Sequence, residues 1–204
     1  MRSMRWALVG VITVLVSCGG GSSSTTSEAS STTSEASSTS TVTEIEVAYR
    51  VGDTGPGGGI IVYVDEKGFN NSGGDNESIG AMCLTVSCNY LEIAPTDLEE
   101  WYSWEDAIVA SEAFSTASAN DWKLPSKDAL NEMCKYAFSD TRNRSCNDAS
   151  NGRFTNSVGG FLRDLYWSSS EVDINYAWIQ SFNHGAQSNS FKYIAGYVRP
   201  MRAF

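Results

Sequence analysis

The side chains that could do chemistry in this chain are one histidine, His184, the serine triplet Ser168-Ser169-Ser170, five cysteines, a glycine cluster and a patch of acids. The cluster lies in VGDTGPGGGIIVYVDEKG, where Gly55, Gly57, Gly58 and Gly59 precede a row of β-branched residues. A phosphate cradle follows a strand and opens a helix, and in its Walker form ends in Gly-Lys-Ser/Thr. The order here is reversed: Gly59 leads into Ile60-Ile61-Val62-Tyr63-Val64, a strand pattern, and the next lysine is Lys67. A tight turn into a strand is the better reading, since glycine supplies the positive φ angles such turns need. His184 sits between Asn183 and Gly185, the composition of a hairpin turn, so a turn residue is preferred over a general base. The serines follow Trp167 inside a strand pattern, not at a strand-to-helix elbow, so a strand edge is preferred over a nucleophile. Asp97, Glu99, Glu100, Glu105 and Asp106 could supply a carboxylate pair for glycoside hydrolysis, but a solvated helix start explains them. Catalysis therefore finds little support, and nothing in the chain requires a cofactor.

The cysteines divide into one and four. Arg2 and Arg5 precede an apolar run over 6–16, which as a helix spans about half of a bilayer core and so reads as a signal-peptide core, not an anchor. It ends in Leu15-Val16-Ser17-Cys18, which resembles the bacterial lipobox, where cleavage before the cysteine leaves it lipidated on sulfur and amine. Stable anchoring needs about two acyl chains, so an acylated Cys18 would hold the protein at a membrane without a spanning helix. Residues 1–18 are thus read as a lipoprotein signal ending at the lipidated cysteine. Residues 19–44 are rich in Ser, Thr and Glu, with TTSEASS at 25–31 repeated at 32–38. Such a segment has almost nothing to bury and reads as a disordered linker, with a reach of roughly 28 Å.

Residues 45–204 are enough for one domain with a proper core. Its cysteines are Cys83, Cys88, Cys134 and Cys146. In an exported chain an even number reads as disulfides, and four cysteines allow three connectivities. The local pairs Cys83 with Cys88 and Cys134 with Cys146 are favoured because each closes a short loop. Zinc is disfavoured, as the spacings are not Cys-x₂-Cys and His184 is remote.

Without its signal the chain carries 12 basic and 24 acidic side chains, a net charge of −12, which disfavours nucleic acid as a partner. The charge is uneven: residues 19–121 hold two basic and seventeen acidic side chains, whereas 122–204 hold ten and seven. Lys192, Arg199 and Arg202 lie near the C-terminus without an acid beside them in sequence, where an anionic ligand would look for a partner.

Two helices are expected. Ser103-Trp104-Glu105-Asp106 is a capping-box-like start, followed by Ala107, Ile108 and Ser111 at helical spacing. After Pro125, Ser126 can cap a second helix with Asp128 in its first turn and Leu130, Met133, Cys134 and Ala137 along one stripe. Strands are expected at 60–64, 90–94, 166–169, 176–182, 190–194 and 196–202, with a hairpin turn at Asn183-His184-Gly185. Few helices beside many antiparallel strands make an α+β domain.

Six blocks in order, GDTGPGGGIIVYVD, YLEIAP, DWKLPSKDALNEM, YWSSSE, YAWIQSF and GYVRPMRAF, resemble the Lcl C-terminal domain family of bacterial surface proteins, which includes a collagen-like adhesin. The resemblance covers about residues 49–204. It implies a C-type-lectin-like fold, two helices packed on twisted antiparallel sheets, with the first and last strands close together. The WKLPS block is also similar, over a shorter stretch, to formylglycine-generating and related lectin-fold proteins. The Glu-Pro-Asn, Gln-Pro-Asp and Trp-Asn-Asp blocks of calcium-dependent lectins do not occur here, and the loop NNSGGDNES reads as a solvated turn before it reads as a calcium site.

Alternation over 176–182 puts Tyr176, Trp178, Gln180 and Phe182 on one face. Aromatics beside amides suit sugar recognition; they also suit a sheet core, which is preferred for Trp178. The 183–189 hairpin, with His184, Gln187 and Asn189, is the better exposed ligand-binding candidate, and Lys192 lies nearby for an acidic ligand. The chain is accordingly read as a lipoprotein of the bacterial cell envelope, facing outside the cytoplasm, with a non-catalytic lectin-like domain. Its expected ligand, which the resemblance to adhesins implies, is an extracellular glycan or a sulfated or carboxylated polysaccharide. An envelope protein-interaction or structural module is the alternative, and a lectin-fold oxidase or hydrolase would require a free thiol or a metal. Cys18→Ala is expected to move the protein from the membrane to the soluble fraction, and unchanged fractionation would refute the anchor.

Overall fold

The computed structural model describes residues 48–138, 146 and 158–204; the signal segment with Cys18 and the linker over 19–44 lie outside them. In chain order the elements are β1 (Ile60–Phe69), a 3₁₀ turn (Ile79–Met82), β2 (Cys88–Ile93), α1 (Trp104–Ala113) and α2 (Lys127–Ala137), then β3 (Leu165–Glu171), β4 (Tyr176–Ser181), β5 (Gln187–Phe191) and β6 (Met201–Ala203). They form two antiparallel sheets of three strands, ordered β1-β2-β6 and β3-β4-β5, with both helices packed on strands, an α+β architecture. Both the first and the last strand pair with β2, the proximity that the family resemblance implies.

Both helices begin where their caps predict. The Ser103 hydroxyl accepts the Asp106 N–H, and the Ser126 hydroxyl accepts that of Ala129. The α2 stripe of Leu130, Met133, Cys134 and Ala137 is buried against Leu91 and Ile93 of β2, Tyr166 of β3 and Phe182. A second cluster gathers Ala107 of α1, Leu124, Trp167, Ala177, Ile179 and Val198. Adjacent residues of β3, Tyr166 and Trp167, thus serve different clusters, because successive side chains on a strand point to opposite faces. The disulfides are Cys83–Cys88 and Cys134–Cys146, the local pairing.

Two expected strands need correction. The strand placed at 190–194 is β5, Gln187–Phe191: β4 and β5 pair from Gln180↔Gln187 to Tyr176↔Phe191, and the Ile194 N–H turns back to the Phe191 carbonyl. The strand placed at 196–202 shrinks to Met201–Ala203, because its backbone serves several partners in turn. Gly196 pairs with Tyr102, Tyr197 with β3, the Val198 carbonyl accepts from Leu98 and the Pro200 carbonyl from Ala94, before β6 joins β2.

The glycine run holds an anion after all, and the anion is the chain's own. Glu92 on β2 has no exposure to solvent, and its carboxylate accepts the backbone N–H groups of Gly57 (3.1 Å) and Gly59 (2.7 Å). Arg202, directly opposite Glu92 across the β2–β6 pair, donates Nη1 to the same carboxylate at 2.9 Å and fastens Nε and Nη2 to Asp121. Burial opposes the Arg202 charge, but the Asp121 and Glu92 carboxylates outweigh it and raise the pKa. Close approach requires two of these glycines: a Cβ at Gly59 would lie 2.0 Å from the Ile93 carbonyl oxygen, and one at Gly57 would lie 2.9 Å from both Glu92 and the Trp122 ring, while Gly58 takes the positive φ of the turn, 82°.

A second buried charge sits behind β3. Arg199, 1% exposed, donates Nε to Asp97 at 2.5 Å and Nη1 to the carbonyls of Ala94, Pro95 and Gly159. The other Asp97 oxygen accepts the Tyr166 hydroxyl at 2.6 Å. Burial, then the neighbouring Asp97 charge, push the Tyr166 phenol far above its ordinary range.

Gly59→Ala is expected to destabilise the domain by about 3 kcal/mol through overpacking, and Glu92→Gln by about 2–3 kcal/mol through loss of charge-assisted hydrogen bonds. Gly73→Ala, whose Cβ would meet nothing within 4 Å, is expected to stay within about 0.5 kcal/mol. Urea unfolding midpoints at constant m-value measure all three. The Tyr166 phenol stays neutral in the folded state to higher pH than in the unfolded state, so its contribution is complete below about pH 10 and is lost as pH rises beyond. Stability measured from about pH 10 upward should therefore fall more steeply in the parent than in Tyr166→Phe; parallel curves would refute the assignment.

Candidate functional site

The β4–β5 hairpin carries most of the residues that the sequence singles out. Its entry from β3 is a tight turn fixed by Asp173, whose Oδ1 accepts the N–H groups of Asn175 (2.8 Å) and Tyr176 (2.9 Å). Its far turn is closed by the Ala186 carbonyl accepting from Ser181 and the Ser181 carbonyl accepting from Gly185, with Gly185 at φ 78°. Between these turns β4 and β5 are in register with Tyr176 opposite Phe191, Trp178 opposite Asn189 and Gln180 opposite Gln187, so these six side chains share one face.

Along that face the character changes. At the far end, Gln180 is buried with Nε2 on the Gly185 carbonyl, and Gln187 donates Nε2 to the Lys127 carbonyl at 2.8 Å, so α2 covers this part. In the middle, Trp178 is half-buried, not in the core as preferred from its alternation; the core side of β4 is the face of Ala177 and Ile179. The Trp178 Nε1 donates to Glu77 at 3.0 Å, and the Lys127 ammonium lies 4.6 Å over the indole while ion-paired with Glu77. At the near end the face is open. Tyr176 and Phe191 lie 4.4 Å apart between ring centroids and Phe191 stacks on Tyr193 at 5.1 Å, with Phe191 41% and Tyr193 76% exposed.

Between those two rings in sequence, Lys192 points the opposite way. It is buried, ion-paired with Glu171, and its Nζ lies 4.3 Å over the Trp104 ring. Its partners Glu171 and Trp104 line a cleft of about 540 Å³ together with Asn76, Ser169, Asp173 and Ile174. Trp104 is held there by its Nε1 on the Ser168 carbonyl and its N–H on the Lys192 carbonyl.

Of the sequence candidates, Trp178, Gln187 and Asn189 come together on one face. His184 stands exposed at the hairpin tip, its Nδ1 3.4 Å from the Ala186 N–H. Lys192 is not open to an acidic ligand, and neither are Arg199 and Arg202, because each is bound to a carboxylate of the chain itself. The sequence reading missed Phe191 and Tyr193 as a surface and Trp104 and Glu171 as a cleft wall. The Phe191-x-Tyr193 spacing carries the signal for the first, since residues two apart in the strand expected at 190–194 share a face. Of the candidate catalytic groups, Ser168 donates to the Trp178 carbonyl, Ser170 to that of Asn76, and Asp97 holds Arg199 and Tyr166.

No curated protein matches the sequence. The family model of the Lcl C-terminal domain matches residues 82–202, which takes in β2 to β5 with both helices and the hairpin, and the start of β6, and leaves the glycine run, β1 and Asn76 of the cleft outside the matched span. The chain belongs to the Lcl C-terminal domain family.

Proposed function

We propose that this protein is a lipid-anchored envelope protein whose domain binds an extracellular glycan on the open end of the β4–β5 face, without catalysis. Family membership points to a surface-associated domain. The observation that carries the glycan reading is the stack of Tyr176, Phe191 and Tyr193 left open to solvent. Aromatic rings offer large, stiff, amphipathic surface, and their faces accept the CH side of a pyranose while neighbouring amides and carboxylates bond its hydroxyls. Asn189, exposed on the same face, supplies such a polar group. Membrane attachment rests on Cys18 and its preceding apolar run.

A protein partner is the second reading, and one loop favours it. The loop closed by Cys83–Cys88 turns Leu84 (73% exposed) and Val86 (91% exposed) outward, while Thr85 bonds within the loop to the Ser87 carbonyl. A stapled loop with two exposed aliphatic tips is suited to a protein contact. A lectin-fold oxidase is disfavoured because Cys83, Cys88, Cys134 and Cys146 are consumed in disulfides.

Phe191→Ala and Tyr193→Ala are each expected to lower glycan retention on a carbohydrate array tenfold or more, with melting temperatures within about 2 °C of the parent. Leu84→Ser with Val86→Ser should leave that retention unchanged. The reverse pattern would move the binding surface to the disulfide loop.

A further inference from the structure

Two exposed aliphatic side chains stand at the end of the domain where its tether enters. Val86, 91% exposed, is the most open large hydrophobic side chain among the described residues, and Leu84 beside it is 73% exposed. Both project from the loop closed by Cys83–Cys88, which is fixed at Cys88 by pairing with Phe69 of β1 and at Cys83 by its N–H on the Gly80 carbonyl. Thr85 donates to the Ser87 carbonyl, so the tips are held in place and lose little freedom on contact. No Asp, Glu, Lys or Arg occurs from Ser78 to Leu91. Behind the loop, a groove of about 380 Å³ is lined by Asn70, Asn71, Ser72, Cys83, Thr85 and Val86. The patch is thus apolar at its tip and polar but uncharged at its base, the order in which a bilayer presents acyl chains below a hydrogen-bonding headgroup layer.

Its place supplies the occupant. The described chain begins at Ala48, and the Tyr49 ring packs edge-on against Tyr90 (5.5 Å between centroids) and Phe204 (5.8 Å). Tyr90 lies two residues along β2 from Cys88, about 7 Å at the rise of a strand. The segment leading back to Cys18 therefore leaves the domain beside the stapled loop. We infer that the Cys83–Cys88 loop docks into the bilayer that holds Cys18, with Leu84 and Val86 among the upper acyl chains and Asn70, Asn71 and Ser72 among the headgroups. Docking of this kind rests on the lipid-anchor reading of Cys18, and it gives to lipid a loop that a protein partner would otherwise take. Two aliphatic side chains are too little to hold a free domain on a membrane. The tether makes the contact intramolecular, at an effective concentration of about a millimolar, and so makes it sufficient. Without charge in the loop, the contact needs no anionic lipid.

The test uses the lipidated full chain in phosphatidylcholine vesicles whose acyl chains carry bromine near the headgroup, a contact quencher of tryptophan. One added tryptophan reports on the loop, Val86→Trp. Another, Leu162→Trp, reports on a site beyond the opposite end of β2, where the Leu162 N–H meets the Tyr166 hydroxyl on Asp97. Emission above the parent's is expected to fall by half or more for Val86→Trp on going from plain to brominated vesicles, and to stay unchanged for Leu162→Trp. Leu84→Asp, added to the Val86→Trp chain, should restore most of the lost emission. A chain that floats with the vesicles but whose Val86→Trp emission falls no more than that of Leu162→Trp, or falls equally with Leu84→Asp, would overturn the docking, spare the anchor and leave the loop to a protein partner. A chain that does not float with the vesicles would overturn both.

Discussion

A carboxylate without access to water sets the terms for half of this domain. Glu92 occupies the β2 position whose side chain points away from the apolar cluster, and an ion moved out of water costs several kcal/mol unless hydrogen bonds and an opposite charge replace the lost solvent. Three groups replace it: two N–H groups of the glycine run and the Arg202 guanidinium. These come from the segment before β1 and from β6, so satisfying one side chain brings the first and last parts of the domain onto the same strand. Arg202 extends the arrangement to Asp121, and the Trp122 ring lies against the glycines. Close approach explains Gly55, Gly57 and Gly59, which lack a positive φ and have no room for a Cβ, and turn conformation explains Gly58, at φ 82° with open space around it.

The same logic recurs wherever charge is buried. The acidic N-terminal half and the more basic C-terminal half fold onto each other, with Glu92 and Asp121 on Arg202, Asp97 on Arg199 and Glu77 on Lys127. An asymmetry that in sequence resembles an advertisement for an anionic ligand is an internal pairing scheme. Exposed ion pairs contribute little to stability, but removing one partner of a buried pair leaves an uncompensated charge, so these pairs specify which segments meet.

How much of this is legible in the sequence depends on the range of the interaction. Helix starts are local, and Ser103 and Ser126 cap as their neighbours predict. The disulfides close short loops and could be paired from spacing. Strand limits at 187–191 and 201–203 were not legible, because they depend on register against β4 and on the dispersal of one backbone segment among several partners. Trp178 illustrates the limit for the site: alternation correctly put it on a face with Tyr176 and Gln180, but which face is core depends on where α2 and the other sheet lie. Lys192 illustrates it again. Its proximity in sequence to the hairpin is real, yet its side chain points to Trp104 and Glu171, which sequence distance conceals.

The dispersal of the segment over 196–204 has a kinetic meaning. Its backbone meets Tyr90, Ala94, Leu98, Tyr102, Lys123 and β3. Contacts between residues this far apart in the chain form late and slowly. Before that segment docks, the two sheets face each other through the side chains of the apolar cluster and of α2; its docking adds the backbone bridge between them at Tyr166 and Tyr197, and so works as a late latch.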